Sequence, residues 1–259
     1  MIPEENALIL FKFGENKWIE KIKDGEVSFA CLGRYIDIAK KTGNNEQGDI
    51  DEGVFARLRR GDSRIEEVSE QLQDDLEIIS DGDYVKLRRK SSYLIPTFCF
   101  YSYRGIDLLN NEIEKPGIQR FSHYFDEKMF NGFSLDKVKN VLSSDSILSL
   151  LIIQPEPFKY LLGGELAKQG IDHVIRHINY TEFEKEEFFI NPTEQRDELF
   201  YKFPKYSYQR EARVCLINSP RNDLYDRLNI NIGSLPDSYA ILSKNKLYFE
   251  LSADIVIKS

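Results

Sequence analysis

ALILFKFGENKWIEKIKDGEVSFAC, residues 7–31, reads as strand, helix, strand. Residues 7–13 are apolar and β-prone, and Gly14 breaks the run. Asn16 is the expected cap of a short helix carrying Trp18, Ile19 and Ile22 on one face. Asp24 and Gly25 end that helix as a turn. Residues 26–31 then alternate as a strand does. Gly33 opens a second short helix over residues 34–41.

Working outward, residues 42–53 (TGNNEQGDIDEG) are polar and glycine-rich, the signature of a loop. Arg57, Arg59, Arg60 and Arg64 follow. Residues 65–85 then hold eight acids and no base, and Lys86, Arg88, Arg89 and Lys90 close the segment. Its plain reading is an exposed face whose charge compensates itself. Its sharper reading is a pair of basic edges for phosphates. Residues 93–102 read as a mostly buried strand, with Pro96 marking an edge or bulge. Ser134 is an expected N-cap for a helix through Leu142. Residues 147–153 read as a buried strand. Pro155 and Pro157 suit the first turn of a helix, with Phe158, Leu161, Leu162 and Leu166 at helical spacing. Residues 171–180 read as a strand, and residues 211–218, 228–232, 239–242, 247–251 and 255–257 as further short strands. The expected fold is one α+β domain over residues 1–259, rich in antiparallel sheet, with residues 55–92 as a charged insertion or helical subdomain.

Composition narrows the function classes. The 259 residues hold 35 Lys and Arg against 43 Asp and Glu, a net charge of −8, so bulk charge does not suit the chain to coating nucleic acid. Hydrophobic residues at 41% and aromatics at 12% are enough for a core and exclude a disordered chain. Cys31, Cys99 and Cys215 are too widely spaced for a disulfide framework or a zinc pattern. The longest apolar run, residues 147–153, is far below the ~20 residues that span a bilayer. With no targeting segment visible at the start, the expectation is a soluble, cytoplasmic protein without membrane contact.

Phosphate-loop, zincin and paired CxxC motifs are absent from the sequence. The acids of residues 48–53 (GDIDEG) do not follow calcium-loop spacing. His173 and His177 share a face on a strand but lack an evident third ligand, so no metal is expected. The informative stretch is residues 206–216, YSYQREARVCL. Glu211 begins a strand beneath a tyrosine-rich loop. Gln209, two residues earlier, points the same way if the chain is extended, and Arg213 continues that face. The bland reading is a solvent-facing polar stripe on an edge strand, where a Glu–Arg pair is worth little.

Gln-x-Glu ahead of a strand resembles the catalytic motif of the ADP-ribosyltransferase superfamily, and the strand–helix–turn–strand of residues 9–29 resembles its beginning. In order and motif the whole chain is also similar to a bacterial family of unknown function, common in defence and mobile-element neighbourhoods. The matching pieces are Leu10-Phe11-Lys12-Phe13, residues 48–53, residues 97–100 and residues 205–213. The resemblance implies a split, antiparallel-rich sheet with flanking helices, NAD as substrate, and a macromolecular acceptor, protein or RNA/DNA. A conflict effector of this kind, a toxin or phage-defence factor, would also imply a neutralising partner. It gives Glu211 the role of holding the ribose and stabilising its developing charge, and Gln209 that of placing the acceptor. Lys12 stands where the superfamily places His or Arg, and would reach the ribose or pyrophosphate. Phe13, Phe29, Tyr35 and Arg213 complete the implied NAD contacts, with Tyr35 or Phe29 stacking on nicotinamide. On this reading Glu211→Ala removes turnover and spares the fold.

Two rival classes remain at this level. One is a nucleic-acid-binding or -processing protein without NAD chemistry, resting on the basic clusters and on the defence-type setting of the similar family; the same clusters, with Tyr101, Tyr103 and Arg104 nearby in sequence, keep RNA or DNA open as the transferase's acceptor. The other is a non-catalytic interaction or inhibitor protein working through its acidic surface.

Overall fold

The first 25 residues of the opening stretch fold as their pattern dictates: strand β1 (Ala7–Glu15), helix α1 (Asn16–Lys23) and strand β2 (Glu26–Cys31). The computed structural model describes residues 7–43, 48–104, 118–124, 148–182, 187–193, 195–235, 239–241 and 248–254. Asn16 is the first residue of the helix rather than its cap, and its side-chain oxygen accepts a 2.7 Å hydrogen bond from Ser149 Oγ. Gly25 ends α1 at φ +97°. A Cβ there would stand 2.2 Å from the carbonyl oxygen of Gly233, so only glycine lets the two turns touch.

Helix α2 (Leu32–Thr42) follows, then β3 (Val54–Arg59), α3 (Ser63–Leu72), β4 (Leu76–Asp81), β5 (Tyr84–Arg89), β6 (Pro96–Arg104) and β7 (Ile118–Tyr124). Next come β8 (Leu148–Ile153), α4 (Pro155–Lys168), β9 (His173–His177), β10 (Asn179–Tyr180), β11 (Phe188–Phe189) and β12 (Tyr201–Lys202). The last are β13 (Glu211–Leu216), β14 (Arg227–Asn231), β15 (Tyr239–Ile241) and β16 (Tyr248–Asp254). The helix expected from Ser134 and the strand expected at 255–257 lie outside the described residues. The class is α+β. Among the described strands every pairing is antiparallel except that of β10 with β12.

The main sheet runs β14-β2-β6-β1-β8-β15, with β13 between β6 and β9. Strand β6 has three partners on two edges. Tyr101 pairs with both Phe11 and Glu211, and Thr97 with both Ala30 and Cys215. The edge opposite β13 is therefore shared: β2 takes its start and β1 its end. Between them, at residues 98–100, the sheet forks. Pro96 is the first residue of this central strand, where its missing N–H breaks no interior ladder, rather than the mark of an edge.

Alternation along the strands sorts the two faces. Phe98 and Phe100 of β6 and Ala212, Val214 and Leu216 of β13 join Leu10, Ile19, Ile22, Phe158, Leu162 and Leu166 in one core under α1 and α4. The opposite face carries Cys99, Glu211 and Arg213.

The charged segment is not mainly helical. β3, β4 and β5 pair with β11 in a second four-stranded sheet, and Phe55, Leu58, Val68, Leu76, Val85 and Leu87 form its own core with α3. Several of its basic residues find acidic partners: Arg57 meets Asp81 at 2.7 Å, Lys86 meets Asp51 at 2.9 Å, and Arg88 meets Glu77 at 2.9 Å. Arg59 and Arg64 both reach Glu187. The charge is compensated only partly within the segment, since Asp51, Glu187 and Glu198 lie outside it, and Arg88 and Arg89 are buried rather than on an exposed face.

Candidate functional site

β13 is an interior strand, and all six of its residues are buried. Glu211 and Arg213 are therefore not a solvent-facing stripe. An unpaired charge is too costly to bury here, so the strand needs partners. It finds them 161 residues earlier, where Arg213 grips both oxygens of Glu52 at 3.0 Å each. Arg213 Nε also donates to Glu211 at 2.8 Å. Lys202 on β12 donates to Glu211 at 2.6 Å and meets Glu52 at 3.0 Å. Two carboxylates thus face two cations, each carboxylate held by both.

Gln209 is not in an extended chain. It ends a short 3-10 turn (Pro204–Gln209), and Arg210 follows in the left-handed region at φ 39°. Lys202 nevertheless unites the two sequence-derived residues, because its Nζ reaches Gln209 Oε1 at 3.1 Å as well as Glu211.

These groups line a cavity of about 170 Å³ together with Lys12, Tyr35, Gly48, Asp49, Cys99 and Tyr206. A second chamber of about 590 Å³ shares Lys12 and Tyr35 as lining and adds Trp18, Lys21, Glu26, Arg34, Phe98 and Arg227 among others. Lys12 sits at the fork itself. Its Nζ lies 4.5 Å over the Phe98 ring and donates to the Cys99 carbonyl at 2.6 Å. That bond satisfies a backbone acceptor on the stretch of β6 where β1 and β2 diverge.

The electrostatics follow from burial and pairing. Burial alone would raise Glu211, but Arg213 and Lys202 outweigh it and hold the carboxyl below the usual range. Burial lowers Lys12. Burial pushes up the Tyr35 phenol and the Cys99 thiol, keeping both neutral. Asp49 is pushed up to about 6, by burial first and then by Glu52, with Lys202 opposing.

Of the residues named from sequence, Lys12, Tyr35, Gln209, Glu211 and Arg213 come together. Phe29 does not. It is fully buried in the core against Phe98, ring centroids 5.7 Å apart, and cannot stack on a ligand. Phe13 alternates away from Lys12 and packs edge-on against Tyr101. Sequence reasoning missed Asp49, Glu52, Lys202 and Tyr206 as site residues. The first two lie in the GDIDEG loop, whose acids lack calcium-loop spacing and carry no local sign of a partner on β13. Lys202, on a two-residue strand, gave no signal.

In comparisons with known proteins no family model matches the chain, and neither a curated protein nor a solved structure matches it. The site's own chemistry is the ground for a functional reading.

Proposed function

We propose that the chain is an NAD-dependent ADP-ribosyltransferase acting on a macromolecular acceptor, protein or nucleic acid. One observation carries the reading: Lys12, Tyr35, Gln209 and Glu211, picked out from separate stretches of sequence, line one cleft at the fork of a split sheet.

The chemistry fits the cleft. Breaking the bond between ribose and nicotinamide builds positive charge on the sugar. A carboxylate fixed in a low-dielectric cavity stabilises that charge without reorganising. Arg213 and Lys202 keep Glu211 ionised, and their bonds to Glu52 hold it in place. The inner cavity is too small for a dinucleotide and large enough for one end of it. The second chamber falls within the usual range for ligand sites. Lys21, Arg34 and Arg227 there favour phosphate, and exposed Trp18 offers an aromatic face. Gln209, held by Lys202 on the wall of the same cavity, would place the acceptor. Within the basic clusters at residues 57–64 and 86–90, Arg57, Lys86 and Arg88 are each engaged by an acid, which favours the cleft over these clusters as the functional site.

The test is incubation with NAD labelled on its adenylate, in cell lysate, followed by separate protein and nucleic-acid digestion. Label transferred to either fraction, with nicotinamide released, supports the reading. No transfer and no nicotinamide release from any lysate overturns it.

A further inference from the structure

We propose that Asp49 is the base that takes the acceptor's proton as the acceptor attacks the ribose. The inference rests on the transferase reading above.

Its ground is position. Gly48 is pressed onto α2 so closely that a Cβ would stand 2.0 Å from the Tyr35 carbonyl oxygen. That contact, open only to glycine, fixes the start of the loop carrying Asp49 against the helix carrying Tyr35. The loop is braced from within, with Asp49 Oδ1 accepting the Asp51 N–H at 2.9 Å. Asp49 is 3% exposed and lines the same cavity as Gln209 and Glu211.

The loop's three acids have different situations. Glu52 is locked by Arg213 and Lys202, and Asp51 by Lys86 at 2.9 and 3.0 Å. Among the described residues no cation donates a hydrogen bond to Asp49. The titratable groups around its cavity are Asp51 and Glu52 on its own loop, Lys202 on β12, Tyr206 on the 3-10 turn, Glu211 and Arg213 on β13, Cys99 on β6, Lys12 on β1 and Tyr35 on α2. Glu211 is held ionised by its cations and is a poor base. Asp49, raised to about 6, is mostly ionised at neutral pH and still takes up a proton readily. Two carboxyl groups in one site with affinities pushed apart divide the work: Glu211 stabilises charge, and Asp49 moves a proton.

The step balances. The acceptor's nucleophilic atom bonds to C1′ of the ribose as the bond from C1′ to the nicotinamide nitrogen breaks. That bond's electron pair returns to the ring, and nicotinamide leaves neutral. The acceptor's proton passes to Asp49 and then to solvent. Water serves as acceptor in the same way when no macromolecule is present.

The experiment compares wild type, Asp49→Asn and Asp49→Ala in the full chain, from pH 5 to pH 8, with NAD and the acceptor-bearing fraction. Wild-type transfer should rise to a plateau with an apparent pKa of about 6. Asp49→Asn should transfer about 10²–10⁴-fold more slowly, with a flat pH profile and an unchanged KM for NAD. Added formate should restore part of the Asp49→Ala rate. If wild type turns over and Asp49→Asn keeps its rate and profile, the assignment of the base falls and the transferase reading stands. If wild type itself has no turnover, both fall. Should Asp49→Asn fail to fold, a wild-type profile with no ionisation near pH 6 overturns the assignment by itself.

Discussion

Arg213 binds Glu52 through two parallel hydrogen bonds of 3.0 Å, and both side chains are at most 2% exposed. Such a fork-to-fork pair fixes direction as well as distance. It ties the central strand that carries Glu211 to the loop that carries Asp49, so the two walls of the inner cavity hold one spacing.

Arg213→Met should be strongly destabilising, because Glu52 and Glu211 keep buried charge that Lys202 alone does not balance. The expected loss is about 3–5 kcal/mol in urea unfolding. Adding Glu52→Gln to that variant should cost less than Glu52→Gln in wild type, with a coupling of about 0.5–3 kcal/mol. Strict additivity would show that the pair does not act as a unit.

Glu211→Gln should lower nicotinamide release by about 10²–10³-fold while NAD still binds. The alanine variant is a poorer probe than its place at a strand end implied. Removing the carboxylate strands Lys202 and Arg213 in a buried site, and the fold should weaken by about 3–5 kcal/mol. Near-wild-type release by Glu211→Gln would remove the residue from the chemistry.

Trp18 is the chain's single tryptophan, is 53% exposed and lines the larger chamber. Its emission should change saturably as NAD is added. Arg227→Ala and Arg34→Ala should shift that titration to higher NAD concentration. An emission unmoved by NAD at millimolar concentration would place the ligand elsewhere.

Phe29→Ala should lower stability by about 3–5 kcal/mol through the cavity it leaves. Phe29→Leu should leave the KM for NAD unchanged, since the ring faces the core. A selective rise in KM with the fold intact would return Phe29 to the ligand site.

Asp49 also leaves a mark on stability that needs no substrate. Its folded-state pKa of about 6 lies above the ordinary 3.8, so between those values the folded chain holds more proton than the unfolded one. Stability should fall as pH rises through this window, by up to about 3 kcal/mol. Glu211 acts with the opposite sign, since its stabilisation is present above the ordinary glutamate range and is lost on acidification. Asp49→Asn removes the first effect and keeps the second, so the difference between variant and wild-type unfolding curves from pH 4 to pH 6.5 isolates Asp49. Parallel curves would mean that the carboxyl titrates normally.

Much of the architecture was legible because local patterns and tertiary packing agree. The strand–helix–strand opening, α4 behind Pro155 and the alternation of β13 all follow from period and breaker residues. The Glu211 and Arg213 positions were legible for the same reason, though alternation alone left open whether their face met solvent or protein. Asp49, Glu52 and Lys202 were hidden because their roles come from long-range closure. Nothing local to a loop 161 residues from Arg213 says that it will cover that side chain. Phe29 misled because a ring on a strand beside a cleft and a ring in the core have the same local pattern.

The placement of β13 between β6 and β9 bears on how the chain reaches this state. The strand carrying Glu211 and Arg213 is an insertion, not an addition to a rim, and its neighbours come from residues 96–104 and 173–177. Until it docks, β6 presents an open row of backbone groups, the kind of edge that invites pairing between chains. Contacts of such sequence separation form late and slowly. Folding speed and resistance to aggregation should therefore depend on this one strand. Changes that weaken its docking, such as Val214→Ala, should show first as slow refolding and loss of soluble protein.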